Sequence, residues 1–306
     1  MNYPLLRGLA LPLWLAFAAA ALACAPGLAL LARVLGRLTR RPEPVAIVRL
    51  LYVYVLGELA MLLSPTRSHE HRLEQLTAFL RDVVGTALGS LLVRVEVQAD
   101  AAAEAALARH DRPLLVLARH AGAGDSVLLV HLLLDRYGRE PGIVMKEILT
   151  LDPVIGIVAR HLPSALIDGA VDDPEEIHEL ARNLKDNGAL LLFPEGGNFT
   201  PARRARAIDW LHRNDQPGRA AQAERLRHTM APRARGVLAA LDGASSADVI
   251  VIAHAGLGHR EMPHDTTVRI RLWHVPGGDV PAGEAERVEW VDAWWARVDA
   301  WVAAAG

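Results

Sequence analysis

The stretch Pro113-Leu114-Leu115-Val116-Leu117-Ala118-Arg119-His120-Ala121-Gly122-Ala123-Gly124-Asp125-Ser126 decides how this chain is read. Pro113 to Ala118 is a short apolar run with the length of a buried strand. The small residues after it form a tight turn, and a helical segment follows from Ser126 to Tyr137. A strand, a short turn and a helix open a βα unit, the building block of a layered α/β domain with a mostly parallel sheet flanked by helices. Ligands in such sheets sit beyond the carboxyl ends of the strands, so chemistry is expected just after Ala118.

The same alternation extends in both directions. Val93 to Val97 alternates at period two, and short apolar runs recur at Gly142 to Met145, Ala165 to Ile167, Ala189 to Phe193, Asp248 to Ala253 and Thr267 to Val275. Helical segments separate them: Ser68 to Leu88, Pro174 to Asn187 opening at Asp172-Asp173-Pro174, and Ala282 to Val302. The alanine-rich segment Ala99 to Ala108 reads as a solvent-facing helix. Trp290, Trp294, Trp295 and Trp301 recur at helical spacing and are expected to pack the last helix on the core. His254 and His259, without a partner motif, read as structural.

Two strand ends carry reactive side chains. After Ala118, His120 and Asp125 are separated by small residues that let the backbone turn tightly. Asp125 is thereby placed to accept a hydrogen bond from one imidazole nitrogen, which leaves the other facing outward as a base. A base held this way takes a proton from a hydroxyl that attacks a thioester, with no serine or cysteine nucleophile required. The second strand end is Leu192-Phe193-Pro194-Glu195-Gly196-Gly197-Asn198. Glu195 is expected at the edge of the sheet, accepting hydrogen bonds from acceptor hydroxyls, while the glycines admit a headgroup close to backbone N–H groups. Alone, each motif also fits a plain loop: a histidine capped by its aspartate, or a turn with a solvated glutamate.

The N-terminal part has a different composition. From Gly8 to Ala32 there is no charge, enough for a helix to cross roughly 30 Å of hydrocarbon, with Pro12 and Pro26 positioned to kink it or break it into a hairpin. A cleavable leader is the competing reading. The apolar character persists to Leu35 and is followed by Arg33, Arg37, Arg40 and Arg41, which favours an anchor with the downstream domain on the cytoplasmic side. Val45 to Leu63 is interrupted by Arg49 and Glu58 and reads as an interfacial helix turning Leu51, Val55, Leu59 and Leu62 toward acyl chains, or as a helix packed on the catalytic domain. The expected division is 1–65, membrane-anchoring helices, and 66–306, a catalytic α/β domain.

Composition excludes several classes. The 306 residues hold 33 Lys and Arg against 35 Asp and Glu, so no overall field favours nucleic acid as a partner. Cys24 is the only cysteine, which rules out an internal disulfide and a cysteine-type zinc site. The thirteen histidines show no metal-binding pair, and no metal is expected.

The His-x4-Asp strand end, followed by Phe193-Pro194-Glu195-Gly196 and preceded by a membrane segment, resembles the lysophospholipid acyltransferase family that includes the 1-acylglycerol-3-phosphate acyltransferases. The resemblance runs from about Pro113 to Leu257. It takes in Val144-Met145-Lys146-Glu147-Ile148-Leu149 with Pro153 and Gly156, and Leu166-Ile167-Asp168. Phe199-Thr200 and the run from Arg225 to Gly236, with Pro232-Arg233-x-x-Gly236, are similar to the lysocardiolipin-type branch.

The resemblance implies His120 as base and Asp125 as its orienting partner. It also implies Phe193, Pro194, Glu195 and Gly196 in the acceptor site, with Lys146 and Arg119 contacting phosphate or donor. The donor would be acyl-CoA or acyl carrier protein, as a co-substrate with no cofactor, and the partners a lipid bilayer and a lysophospholipid.

Two positions depart from the family pattern. Gly169 and Asn198 stand where many members carry arginine, so the acceptor phosphate is gripped by Arg119, Arg203, Arg204 or Arg206, or the acceptor is another membrane molecule such as a glycolipid or an aminolipid. A catalytically silent lipid-binding protein of the same fold is the alternative from a different class.

Overall fold

The computed structural model describes residues 3–65, 68–167, 174–258 and 263–306. Its helices are α1 (Tyr3–Ala23), α2 (Ala25–Thr39), α3 (Glu43–Leu63), α4 (His69–Leu91), α5 (Ala101–Ala108), α6 (Ala123–His131), α7 (Pro153–His161), α8 (Pro174–Arg182), α9 (Pro201–Arg213), α10 (Pro217–Arg225), α11 (Ala234–Gly243) and α12 (Glu284–Ala305). The strands are β1 (Arg94–Ala99), β2 (Leu114–Ala118), β3 (Glu140–Lys146), β4 (Ser164–Ile167), β5 (Gly188–Leu192), β6 (Asp248–Ala255) and β7 (Thr267–Val275).

One seven-stranded sheet has the order β1-β7-β6-β2-β5-β3-β4. β2 lies parallel to β5 and to β6, and β3 parallel to β5, while β6 and β7 are antiparallel. This is the mostly parallel sheet expected from the alternating pattern. Leu114 to Ala118 and Gly188 to Leu192 are buried on both faces, as central parallel strands covered by helices must be.

Contact clustering divides the chain into two compact units. The first comprises Met1–Arg94, Met145–Ala170 and Pro263–Thr266, and the second Val95–Val144, Val171–Met262 and Thr267–Gly306. In the second, alternate strand residues (Leu115, Leu117, Leu190, Leu192, Val249, Val251 and Ala253) meet Ile177 and Ala181 of α8, Val237, Ala240 and Leu241 of α11, and Val291, Trp295 and Val298 of α12. Each valine, leucine or isoleucine among them contributes about 1.5–3 kcal/mol by leaving water. Trp295 is fully buried, and Trp290, Trp294 and Trp301 pack against the same cluster, as their spacing predicts. The alanine-rich α5 is less exposed than its composition suggests: Ala103, Ala106 and Leu107 are buried, because alanines pack close to a neighbouring element.

In the first unit, α1 and α2 meet at a break around Cys24, and the segments Ala10–Ala23 and Ala25–Thr39 are bent by 66°. Pro26, which lacks a donor and fixes its own φ, suits the first turn of α2 and marks the break, whereas Pro12 is accommodated within α1. Tyr52 donates to the Ala21 carbonyl at 2.8 Å, and Tyr54 donates to Asp152 at 2.6 Å, tying α3 to α1 and to the start of α7.

By length and composition α3 can cross a membrane, as can the bent α1–α2 pair if taken as one span. Of the two charges within the apolar run of α3, after Glu43 in its first turn, Arg49 is exposed and Glu58 is fully buried. Its outward apolar residues are Ile47, Leu56 and Leu63, not the expected stripe, since Val55 is buried. Asp168 and Gly169, the Asp172-Asp173 helix opening and His259 lie outside the described residues.

Candidate active site

The site begins with strand register. β2 and β5 are parallel neighbours with Leu117 opposite Leu192, so the chain leaves both strands on the same side and side by side. Arg119 and His120 therefore emerge beside Phe193, Pro194 and Glu195. The polypeptide after each strand then binds the other: the His120 N–H donates to Glu195 Oε1 at 3.0 Å, and the Phe199 N–H donates to the His120 carbonyl at 2.8 Å. Both backbone polar groups of His120 are held by the second motif.

The side chain of His120 is fixed as firmly. Asp125 is the third residue of α6, and its carboxylate folds back over the turn. Oδ2 accepts the N–H groups of Ala121 at 2.6 Å and Gly122 at 2.9 Å, and the carboxylate faces His120 Nδ1 at 3.0 and 3.2 Å. A carboxylate only accepts, so Nδ1 carries the proton and Nε2 is left with its lone pair. Phe193 stacks on the ring, with centroids 4.3 Å apart and planes 29° from parallel. The His120 side chain is 17% exposed, enough for a reacting group to reach Nε2, while Asp125 is fully buried.

Burial alone would raise the pKa of Asp125, but its hydrogen bonds to His120 and His254 outweigh that and hold the carboxyl well below the usual range. It is therefore charged at neutral pH and faces His120 as a hydrogen-bond acceptor.

Glu195 differs from its sequence expectation of a carboxylate at an open edge. It is 3% exposed, and while Oε1 accepts from His120, Oε2 accepts the Met230 N–H at 2.9 Å. Burial pushes its pKa up to about 7 against the downward pull of those N–H groups and of Arg119. Arg119 is likewise buried. It donates through Nη1 to the His254 carbonyl at 2.8 Å, and through Nε and Nη2 to the His228 carbonyl at 3.2 and 2.9 Å. Burial lowers its pKa while Glu195, Asp125 and Asp299 pull it back up. The loop that supplies Met230 is gripped in turn by Asp299 of α12, whose carboxylate accepts the N–H groups of Arg227, His228 and Thr229.

Gly196 is exposed and has φ +67°, a conformation in which a side chain is strained. A Cβ there would also lie 2.8 Å from Nε of Arg233, and one on Gly197 would lie 3.0 Å from Nη1 of Arg203. Two exposed arginines thus cover the Gly196-Gly197 turn. Arg203 also donates to the Asn198 carbonyl at 3.1 Å. Arg204 points elsewhere, donating to the carbonyls of Leu226 and Glu224 at the end of α10. Lys146 is the exposed last residue of β3 and is divided between the units differently from the residues above, since it belongs to the first.

The structure thus brings His120, Asp125, Phe193, Pro194, Glu195 and Gly196 together with Arg119. It adds Arg233, Met230, Asp299 and His254, which the motifs did not single out for roles. His254 was legible only as the last polar residue of an apolar strand.

The Acyltransferase family model matches residues 94–252, more than half of the chain, including β2, α6, β5 and the turns that carry His120, Asp125 and Glu195. No curated protein has a matching sequence. Among solved structures, the crystal structure of the 1-acyl-sn-glycerophosphate (LPA) acyltransferase PlsC from Thermotoga maritima is similar with a TM-score of 0.55 at 16% identity. The match covers 80% of this chain and 88% of that one. At that identity the likeness is one of fold, and it agrees with the mostly parallel sheet and its covering helices. The chain belongs to the Acyltransferase family.

Proposed function

We propose that this protein transfers a fatty acyl group from a thioester, acyl-CoA or acyl carrier protein, to the hydroxyl of a lysophospholipid such as 1-acylglycerol-3-phosphate. The observation that carries the reading is the orientation of His120, with Nδ1–H against a buried, ionised Asp125 and Nε2 open. As the acceptor oxygen attacks the thioester carbonyl carbon, Nε2 takes its proton and a C–O bond forms. The tetrahedral intermediate collapses, the C–S bond breaks, and the leaving thiolate recovers the proton from the imidazolium. Asp125 stabilises the imidazolium between the two steps.

Glu195 serves this chemistry from beneath, holding the backbone of His120 rather than the substrate, while Arg119 holds the carbonyls of His228 and His254. Arg203 and Arg233, exposed over the two-glycine turn, supply the charge that binds the acceptor phosphate and stand in for the arginines absent at Gly169 and Asn198. The Pro232-Arg233-x-x-Gly236 run, which carries one of them, favours the lysocardiolipin-type branch.

The exposed apolar residues of α2, with Arg33, Arg37, Arg40 and Arg41, support a membrane location with the catalytic unit on the cytoplasmic face. The test uses purified full-length protein in detergent with labelled acyl-CoA or acyl carrier protein and a panel of lysophospholipids, glycolipids and aminolipids, beside His120→Ala. Transfer to a phosphate-bearing lyso-lipid that disappears in the variant is expected. An inert parent, or a variant as active as the parent, overturns the reading.

A further inference from the structure

β6 runs parallel beside β2 with Ile252 opposite Ala118, and the Arg119 N–H donates to the Ile252 carbonyl at 3.0 Å. Two residues beyond this register, positions 120 and 254 are neighbours. His254 is fully buried in a strand whose residues from Val249 to Ala253 are all apolar and buried. Its Nε2 lies 3.0 Å from the Arg119 carbonyl and 3.4 Å from Asp125 Oδ2.

Both of those oxygens only accept, so Nε2 carries a proton and donates between them. Nδ1 is buried without a hydrogen-bond partner among the described residues. A proton on Nδ1 would be a buried, unpaired N–H, so Nε2 is where the surroundings satisfy the ring's proton. An apolar side chain would fill this space with less desolvation. What the imidazole adds is one directed N–H.

We propose that His254 is a positioning residue for the His120–Asp125 pair: from the far side of the carboxylate it fixes the rotamer of Asp125 and shares its charge. The proposal rests on the acyl-transfer reading above and extends it to a residue outside both motifs. Among the described residues, Asp125 Oδ2 otherwise takes N–H groups only from its own turn: the backbone of Ala121 and Gly122 and the ring of His120. His254 is the donor that ties it to the neighbouring strand.

The charged groups around this arrangement are Arg119, which donates to the His254 carbonyl, and Glu195, which holds the His120 N–H. Asp299, which holds the 227–229 loop, acts on Arg119. Removing the His254 N–H leaves the carboxylate freer to turn and its charge no longer shared, so the imidazole of His120 is held less well against it.

The experiment measures kcat and KM against pH for the parent, His254→Leu, His254→Gln and His254→Asn, with thermal unfolding of each. Glutamine places an amide N–H near the Nε2 position, and asparagine is one methylene too short. Leucine is expected to lower kcat about 10- to 100-fold, to leave both KM values within about twofold, and to move the acid limb of the kcat profile upward by about half to one pH unit. Glutamine should recover most of kcat and the parental limb, and asparagine should not.

A folded His254→Leu with parental kcat and limb overturns the proposal, as does a glutamine variant no better than leucine. If leucine fails to fold, glutamine against asparagine decides by the same criteria. An active parent with a dead His120→Ala but indifferent His254 variants sinks this inference alone. An inactive parent sinks the acyl-transfer reading and this inference with it.

Discussion

The carboxylate of Glu195 holds the backbone N–H of His120 at 3.0 Å across 75 residues of sequence, and its other oxygen holds the N–H of Met230. Glu195→Gln keeps the size of the side chain but turns an NH2 group toward one of two backbone donors. With a hydrogen bond lost at a charged acceptor, kcat is expected to fall about 10- to 100-fold, while binding of a phosphate-bearing acceptor changes little. Steady-state kinetics check this, and a variant equal to the parent would remove the clasp from the mechanism.

The same residue sets a pH dependence of stability. Its pKa is raised from 4.5 to about 7 by burial. Between those values the folded chain holds a proton that the unfolded chain has released. The contribution of Glu195 to stability is therefore full below about 4.5 and is lost as pH rises through about 7. Urea unfolding at pH 5 and pH 7.5 should show the parent losing stability relative to Glu195→Gln over this interval, and parallel curves would contradict the assignment.

Asp125 has the opposite sign. Held below its ordinary 3.8 by hydrogen bonds that outweigh burial, it stabilises the fold above that value, and the contribution is lost on further acidification. Asp125→Asn should abolish this acid limb of the unfolding curve. It should also lower kcat by roughly 10²- to 10⁴-fold, because the amide no longer enforces the Nδ1–H tautomer of His120. Retention of more than about a tenth of the activity would show that the pair is structural.

Arg203 and Arg233 cover the Gly196-Gly197 turn from the solvent side. Alanine at either position is expected to raise KM for a phosphate-bearing acceptor about tenfold, leaving kcat and the donor KM within about twofold. The effect should shrink in high salt and be absent for a neutral acceptor. An unchanged acceptor KM in the double variant would place the phosphate elsewhere.

The α2 helix exposes Leu30, Leu31, Val34, Leu35 and Leu38. Leu31→Glu with Leu38→Glu removes two leucines from any bilayer contact, at about 1.5–3 kcal/mol each. Vesicle partitioning should then fall more than about 100-fold, with the far-ultraviolet circular dichroism unchanged. Flotation with liposomes measures it, and undiminished flotation would mean that α2 does not touch the membrane.

Much of this molecule is legible locally. Every strand was foreseen within a few residues, because burial on both faces makes β2, β5 and β6 continuous apolar runs. Gly122 and its small neighbours announce the turn in which Asp125 meets His120, since both partners lie within one short loop. Four helices escaped: α7, α9, α10 and α11. α9 and α10 bury only Leu211, Ala220 and Ala223 between them, too few apolar residues to leave a periodic signal. The carboxylate of Glu195 was expected to face substrate, and nothing in Pro-Glu-Gly-Gly reveals that it faces two backbone N–H groups instead.

The sequence by itself therefore determined the alternating architecture, the two strand ends at which His120 and Glu195 stand, and the bonding of His120 to Asp125. Only the tertiary structure decided what stands around that pair: the Glu195 clasp, the inward turn of Arg119, the arginines over Gly196 and Gly197, and His254 behind the carboxylate. The physical reason is that strand order and register are set by hydrogen bonds between segments far apart in the chain. A side chain two residues past a strand end has its neighbours chosen by those distant pairings, and local composition carries no record of them.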